Sequence, residues 1–316
     1  MSNDLTNFSK HYFLCMIMPA KNVEKYIYEA IMSYISHDRD DILLIIIDDH
    51  STDKTYEICN EIKTKNKTKI LLKKNILAGK VNAINYGFSL ASASYYKFVD
   101  SDDVLEIDFW DMLKRNSMKN KSFVHPLDTV DNNLKKISTL PMPFQSTKNN
   151  RRYIRDLILL PKVAWTFKKD DIEIMFPIAD GVPFEDIWFS LCVYANDIEI
   201  VNEKSSVYLY RQHNNQTFGN LRDINEERLI FRFKRIYDAL KIIENNEIFS
   251  RFKKELRTSK VISLFMLRRV SFIMLIEKSG LLTSLKHIAQ RDFKNFYGLV
   301  RNLIWSIRRI KIFIKK

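Results

Sequence analysis

The first 125 residues alternate between short apolar runs and stretches whose apolar residues recur at helical spacing. Phe13–Met18 is an apolar run bounded by Pro19 and predicts a strand. Val23–Ile35 then carries Ile27, Ile31, Tyr34 and Ile35 on one helical face. Ile42–Ile47 is apolar throughout and largely β-branched, the pattern of a strand buried on both faces of a parallel sheet. Ser51 or Thr52 is placed to cap a following helix through Tyr56, Cys59 and Ile62. Ile70–Leu72 predicts a third strand, Lys80–Leu90 a helix with Ala83, Ile84, Gly87 and Leu90 on one side, and Tyr95–Val99 a fourth strand. Residues 126–150 are polar, contain Pro141 and Pro143, and read as a loop. Residues 151–221 return to mixed strand and helix, including a helix over Ile187–Tyr194, and from Ile224 onward the pattern is helical.

This alternation predicts an α/β fold: a mostly parallel, Rossmann-like sheet with flanking helices, plus a helical basic C-terminal region. The expected division is 1–221, with halves of about 12–125 and 126–221, followed by 222–316. In such sheets ligands bind beyond the carboxyl ends of the strands. Polar clusters stand at two of those ends, Asp48-Asp49-His50 after the second strand and Asp100-Ser101-Asp102-Asp103 after the fourth.

Composition narrows the picture further. With 46% apolar and 28% charged residues, the chain is not mostly disordered. The three cysteines are odd in number, far apart and set in apolar segments, which excludes a disulfide framework and fits a reducing compartment. The run Tyr12–Ala20 follows Asp4 and a polar stretch, and reads as a first strand rather than a signal peptide. Val261–Ile276 is interrupted by Arg268 and Arg269, so no membrane span is predicted.

The net charge of +13 is unevenly spread. Residues 222–316 hold 23 Lys and Arg against 9 Asp and Glu, and the remainder is near neutral. A basic helical tail implies an anionic surface as partner. Leu299–Ile314, followed by Lys315 and Lys316, suits a helix lying in a membrane interface with Trp305 and the isoleucines down. Packing on the rest of the chain or on a second subunit is the other reading of this segment. No nucleic-acid motif accompanies the charge, so nucleic acid is not expected as a partner.

Asp100, Asp102 and Asp103 crowd three carboxylates into four residues. Their repulsion is relieved by a hard cation such as magnesium or manganese, unless the segment is a solvated acidic turn. The six histidines lack the spacing of zinc sites, and no Walker loop or GxGxxG is present. Trp165 and Trp188 read more naturally as core residues than as a sugar platform. Arg151, Arg152 and Arg155 read as a solvated helix face that leaves an acidic acceptor open.

A family resemblance emerges from the order of these blocks. Met16-Ile17-Met18-Pro19-Ala20-Lys21-Asn22 with Glu24 and Tyr26 resembles the opening of family 2 glycosyltransferases. Ile45–Thr55, with Asp48-Asp49, resembles the family's nucleotide-binding strand end. Gly79-Lys80 with Ala83, Asn85 and Gly87 is similar to its third block. Phe98–Asp103 resembles the DxD block, Phe184–Phe189 the ED motif, and Tyr210-Arg211-Gln212-His213 a Tyr-Arg-x-His segment. The resemblance covers residues 12–218 and implies a GT-A fold and an inverting transfer from a nucleotide-diphosphate sugar.

For individual residues the resemblance implies Asp186 as general base with Glu185 flanking it. Pro19, Ala20, Asp49, Lys80, Asp100, Asp102 and Arg211 would face the donor, with Asp49 accepting from the nucleobase. Asp102, with Asp100, Asp103 and His213 as further candidates, would hold Mn2+ or Mg2+. Two departures stand out: Ile84 occupies a position where Arg is usual, and Lys21 one where an aromatic residue is common. The implied donor is a UDP-sugar and the implied acceptor a glycan or lipid-linked saccharide in bacterial surface-polysaccharide or lipooligosaccharide synthesis. The implied location is cytoplasmic, peripheral on the inner membrane face. The alternative is a non-catalytic nucleotide-sugar or glycan-binding protein on the same fold.

Overall fold

The computed structural model of the chain describes residues 10–37, 39–142, 149–213 and 226–279. It divides into two units, Met1–His213 with Arg235–Ser263, and Asn214–Lys234 with Leu264–Lys316. In the first unit β1 (His11–Ala20), α1 (Ile27–Tyr34), β2 (Ile42–Asp48), α2 (Thr55–Lys65), β3 (Ile70–Lys74), α3 (Lys80–Ser89) and β4 (Ser92–Phe98) follow in the alternation read from the sequence. Then come β5 (Val104–Leu105), α4 (Phe109–Met118), β6 (Ser122–Val124), β7 (Leu127–Val130), β8 (Lys136–Leu140) and α5 (Asn150–Asp156). A 3-10 turn at Lys162–Ala164 leads into β9 (Trp165–Lys168), α6 (Lys169–Glu173), α7 (Glu185–Ala195), β10 (Ile200–Asn202) and β11 (Tyr208–Arg211). Two helices complete the described chain, α8 (Glu226–Ile243) and α9 (Lys253–Ser279).

The main sheet has seven strands in the order β10-β6-β9-β4-β1-β2-β3. β1, β2, β3 and β4 are parallel, β10 is parallel to β6, and β9 runs against both β4 and β6. All seven residues of β2 are buried, as its apolar run requires. In α1, Ile27, Ala30, Ile31 and Tyr34 are buried at the i, i+3, i+4, i+7 spacing of one helical face. α3 sits so close to the sheet that a Cβ on Gly87 would lie 2.7 Å from Ile17 Cγ2 and 3.3 Å from Ile47 Cγ1.

Two expectations need correction. Residues 126–150 are not a simple loop, since β7 and β8 pair antiparallel there. They join β5 and β11 in a second sheet ordered β5-β11-β7-β8. The outer strand β8 is exposed or half-exposed along its length, which is why its polar sequence hid it. Ser51 and Thr52 do not cap α2. Asn22 N–H donates to Ser51 Oγ at 3.1 Å, and Thr52 N–H donates to Asn22 Oδ1 at 2.8 Å, so both stitch the β1 and β2 ends together. Of residues 222–316, those at 235–263 group with the sheet-bearing unit.

In the second unit, residues 226–234 and 264–279 are helical. Among the described residues no helix is long and apolar enough to cross a membrane. The interfacial segment Leu299–Ile314 lies outside the described residues.

Candidate active site

The carboxyl ends of β1, β2 and β4 meet at one edge of the parallel sheet, and the blocks at Met16–Asn22, Ile45–Thr55 and Phe98–Asp103 run through these ends. Ala20 pairs with Asp48, and the Ala20 carbonyl accepts from Asp49 N–H at 2.8 Å. Asp49 Oδ1 accepts from Asn75 Nδ2 at 2.7 Å and from Gly79 N–H at 2.9 Å, tying the β3–α3 loop to β2. Its Oδ2 lies 3.7 Å from Lys21 Nζ. Two reciprocal contacts brace this edge, Glu24 N–H to Asp53 Oδ2 at 3.1 Å and Lys54 N–H to Glu24 Oε2 at 2.9 Å. Asn85 on α3 exchanges two 2.9 Å hydrogen bonds with the Ile178 backbone and fixes the approach to α7.

The turn after β4 is held by two buried tyrosines. Tyr34 Oη donates to the Asp100 carbonyl at 2.9 Å, and Asp100 N–H donates to Tyr208 Oη at 3.1 Å. Three aspartates leave this turn in different directions. The Asp100 carboxylate accepts from Lys162 Nζ and lies 3.0 Å from Lys80 Nζ. Burial pushes its carboxyl up, but Lys162 and Lys80 outweigh burial and hold it well below the usual carboxylate range. Asp102 Oδ2 lies 2.9 Å from His213 Nε2, and the His213 ring stacks on Tyr26. Asp103 is fully buried and turned toward β11, where its Oδ1 accepts from Arg211 N–H at 2.8 Å. Burial, then Asp102 and Asp100, push its carboxyl well above the usual range. Of the candidate metal residues, Asp103 is thus the one turned inward to β11.

Arg211 is anchored within the fold. Its guanidinium donates to the Asp102 carbonyl at 2.7 Å, the Asn132 carbonyl at 2.6 Å and Glu29 Oε2 at 2.5 Å, and its side chain is 1% exposed. It braces the DxD turn against β11 and α1.

α7 delivers the last carboxylates. Glu185 Oε1 lies 3.1 Å from Lys80 Nζ and 3.4 Å from Lys162 Nζ. Burial pushes the Glu185 carboxyl up, but Lys80 and Lys162 bring it below its usual value. Asp186 Oδ1 accepts from Lys162 N–H at 2.7 Å. Burial, then the neighbouring Glu185, push the Asp186 carboxyl up to about 6 despite Lys162. Acids in the first turn also favour the helix N-terminus, so α7 gains from both. Lys162, unremarked in the sequence, thus touches Asp100, Glu185 and Asp186 together. Its sequence signal was no more than a lysine after a proline, a few residues ahead of β9.

Among the described residues, no group of three or more His, Cys, Asp or Glu side chains is arranged to hold a metal ion. Asp102 and His213 supply one oxygen and one nitrogen, which fits a cation whose remaining positions are filled by substrate phosphates. Trp165 and Trp188 are fully buried, and Trp188 Nε1 donates to the Met175 carbonyl at 2.7 Å, as core residues do. Arg151, Arg152 and Arg155 line a separate cavity of about 640 Å³ with Arg251 and Lys254, sharing no residue with the carboxylate cluster.

Comparison with known proteins agrees with this geometry. The family model described as "Glycosyl transferase family 2" matches residues 15–174. An uncharacterized glycosyltransferase of Haemophilus influenzae is 39% identical over 95 residues, 30% of this chain and 38% of that protein. The minor teichoic acid biosynthesis protein GgaB of Bacillus subtilis is 38% identical over 99 residues, 31% of this chain and 11% of that protein. The Escherichia coli UDP-Glc:alpha-D-GlcNAc-diphosphoundecaprenol beta-1,3-glucosyltransferase WfaP is 38% identical over 88 residues, 28% of this chain and 34% of that protein. The matches thus span between 11% and 38% of these relatives' lengths. Among solved structures, S. aureus TarS superposes with a TM-score of 0.57 at 17% identity, over 81% of this chain and 73% of that one. With UDP-GlcNAc bound, TarS gives 0.51 at 18% identity, over 77% and 72%. The mannosyltransferase PcManGT of Pyrobaculum calidifontis, in complex with GDP-Man and Mn2+, gives 0.56 at 13% identity, over 99% and 86%. These likenesses show the GT-A fold.

Proposed function

The chain belongs to glycosyl transferase family 2, and from that premise we propose that it transfers a sugar from a nucleotide-diphosphate donor to an acceptor hydroxyl with inversion. A UDP-sugar is favoured as donor, and a glycan or lipid-linked saccharide of a bacterial surface polymer as acceptor. The relatives named for teichoic acid synthesis and for UDP-Glc transfer support this reading, as do the neighbours bound to UDP-GlcNAc and GDP-Man. The observation that carries it is Asp186. A half-buried carboxyl brought to about 6 stands at the α7 N-terminus beside the Asp100–Lys80 pair, at the sheet edge where ligands bind.

In this reading Asp186 takes the proton of the acceptor hydroxyl as that oxygen attacks the anomeric carbon. A value near 6 keeps the carboxylate ionised at neutral pH and still basic enough to accept the proton. A single displacement inverts the centre. Glu185 is held by Lys80 and Lys162 and sets the position of α7's first turn. Asp49 Oδ2 and the Pro19-Ala20 strand end face the nucleoside, and Lys80 faces the diphosphate. Asp102 and His213 would hold a divalent cation, Mn2+ or Mg2+, which when bound offsets charge on the departing diphosphate.

The basic residues of 222–316 would hold the protein at an anionic leaflet on the cytoplasmic face, each surface cation adding about 1 kcal/mol. Sedimentation with vesicles containing phosphatidylglycerol, and not with phosphatidylcholine alone, checks that placement.

The test of function is a screen of UDP-sugars and GDP-Man for metal-dependent release of nucleoside diphosphate, with Asp102→Ala and Asp186→Asn alongside. Release from one donor, lost in both variants and with EDTA, is the expected result. If calorimetry finds that neither UDP nor GDP binds with manganese present, the reading fails. Binding without turnover in the presence of every acceptor tried would favour a non-catalytic binding protein.

A further inference from the structure

Two lysines serve the same pair of carboxylate oxygens. Lys80 Nζ lies 3.0 Å from Asp100 Oδ1 and 3.1 Å from Glu185 Oε1. Lys162 Nζ hydrogen-bonds that same Asp100 Oδ1 and lies 3.4 Å from that same Glu185 Oε1. Their surroundings differ: the Lys80 side chain is 48% exposed, that of Lys162 2%.

Their anchoring differs as well. Lys80 opens α3 directly after Gly79, whose φ of 120° is a backbone conformation favouring glycine. Lys162 follows Pro161 in a buried 3-10 turn, and its own N–H is spent on Asp186. The next carbonyl, that of Val163, accepts from the buried Lys97 Nζ at 2.7 Å. Lys97 also donates to His125 Nε2 at 3.0 Å, and His125 Nδ1–H donates to the Pro126 carbonyl at 2.9 Å, which fixes the tautomer. Burial, and then the positive charge of Lys162, push the Lys97 ammonium well down. Lys162 is therefore locked from behind, while Lys80 faces solvent.

Resting on the nucleotide-sugar reading above, we propose that Lys162 is the fixed counter-ion of the Asp100–Glu185–Asp186 cluster and Lys80 the exchangeable one. Lys80 turns to the donor diphosphate, and Lys162 keeps the three carboxylates in place when it does. Both lysines are drawn to anions, but Lys80 alone has the exposure to reach one arriving from solvent. Without Lys162, the departure of Lys80 leaves buried carboxylates without an ammonium partner, an arrangement that protonates or shifts. Lys162 is a positioning residue: it acts on the reaction through Asp186 and Asp100.

Calorimetry with UDP and with uridine, both with manganese, on wild type, Lys80→Met and Lys162→Met separates the two roles. Lys80→Met is expected to weaken UDP by about 10- to 100-fold, the worth of a charged hydrogen bond, and to leave uridine unchanged. Lys162→Met is expected to keep the wild-type ratio of UDP to uridine affinity, to lower kcat with donor KM little changed, and to recover part of kcat as Lys162→Arg. Retained uridine binding shows that each variant is folded. A second arm uses wild type only, reading reductive methylation by mass spectrometry. Lys80 is expected to react in the free protein and to be protected by UDP with manganese, and Lys162 to stay unmodified in both states. The assignment is overturned if Lys162→Met loses the diphosphate preference as fully as Lys80→Met, or if UDP leaves Lys80 labelling unchanged. If wild type binds neither UDP nor GDP, the donor reading falls and takes this assignment with it. Binding by wild type with equal losses in both variants defeats this assignment alone.

Discussion

Replacing Asp186 by Asn separates what the residue does chemically from what it costs the fold. Burial, then Glu185, lift its carboxyl from 3.8 to about 6. A rise of roughly two units corresponds to about 3 kcal/mol of folding free energy at pH 7. The sign follows from linkage. The folded state binds the proton more tightly than the unfolded chain, so this stabilisation is complete below 3.8 and is lost as pH rises through about 6. At pH 7 the wild-type protein carries the full penalty. Asn carries no charge and can still accept from Lys162 N–H, so Asp186→Asn should gain about 1–3 kcal/mol, a Tm rise of about 3–10 °C. Turnover should fall by about 10²- to 10⁴-fold, the contribution of a general base. Wild-type turnover should have an acid limb near 6. One unit below that value, about a tenth of the plateau rate should remain. Thermal denaturation at pH 7 and pH 5 with a nucleoside diphosphate release assay measures all of this. The stability gap between variant and wild type should narrow at the lower pH. A variant that loses stability and turnover together would make Asp186 a helix cap and nothing more, and an acid limb near pH 4 would refute the raised carboxyl.

Other expectations follow from neighbouring contacts. Gly87→Ala forces a Cβ to within 2.7 Å of Ile17 Cγ2, and the overpacking should cost about 1–3 kcal/mol in thermal denaturation. An unchanged Tm would show that α3 can lift off the sheet. Arg211→Met removes a guanidinium bonded to two carbonyls and Glu29, and should cost about 3–5 kcal/mol, read as a lowered Tm. A variant of normal stability that had lost UDP affinity would instead place Arg211 at the donor site. His213→Ala should raise the manganese concentration for half-maximal turnover by about 10- to 100-fold while leaving the fold intact. No change would remove His213 from the metal position.

The elements buried on both faces were the most legible. Ile42–Ile47 could only be an inner strand, and it is β2. The strand ends bearing Asp49 and Asp100 followed directly from the alternation, because a parallel sheet places all such ends on one edge. β8 was invisible for the opposite reason. An edge strand needs polar outward residues, so Lys136–Leu140 looks like loop to any reading of hydrophobic period. Ser51 and Thr52 have cap chemistry, yet their partners are on Asn22, brought near only by the β1–β2 register.

Side-chain roles depend on what surrounds a charge, and a one-dimensional pattern lacks that information. Arg211 and Lys162 show the two ways this fails. Arg211 stood in a motif and seemed free to reach a substrate, but a guanidinium has five donors in a rigid fork. Acceptors from the DxD turn, the β7–β8 connection and α1 surround it, so the lowest-energy use of the fork is internal. Lys162 stood in no motif, yet buried carboxylates from two distant blocks require a cation between them. The motif spacing located the acids, and desolvation then determined that a buried lysine must accompany them. Charge balance within the folded site therefore identifies a residue that spacing along the chain could not.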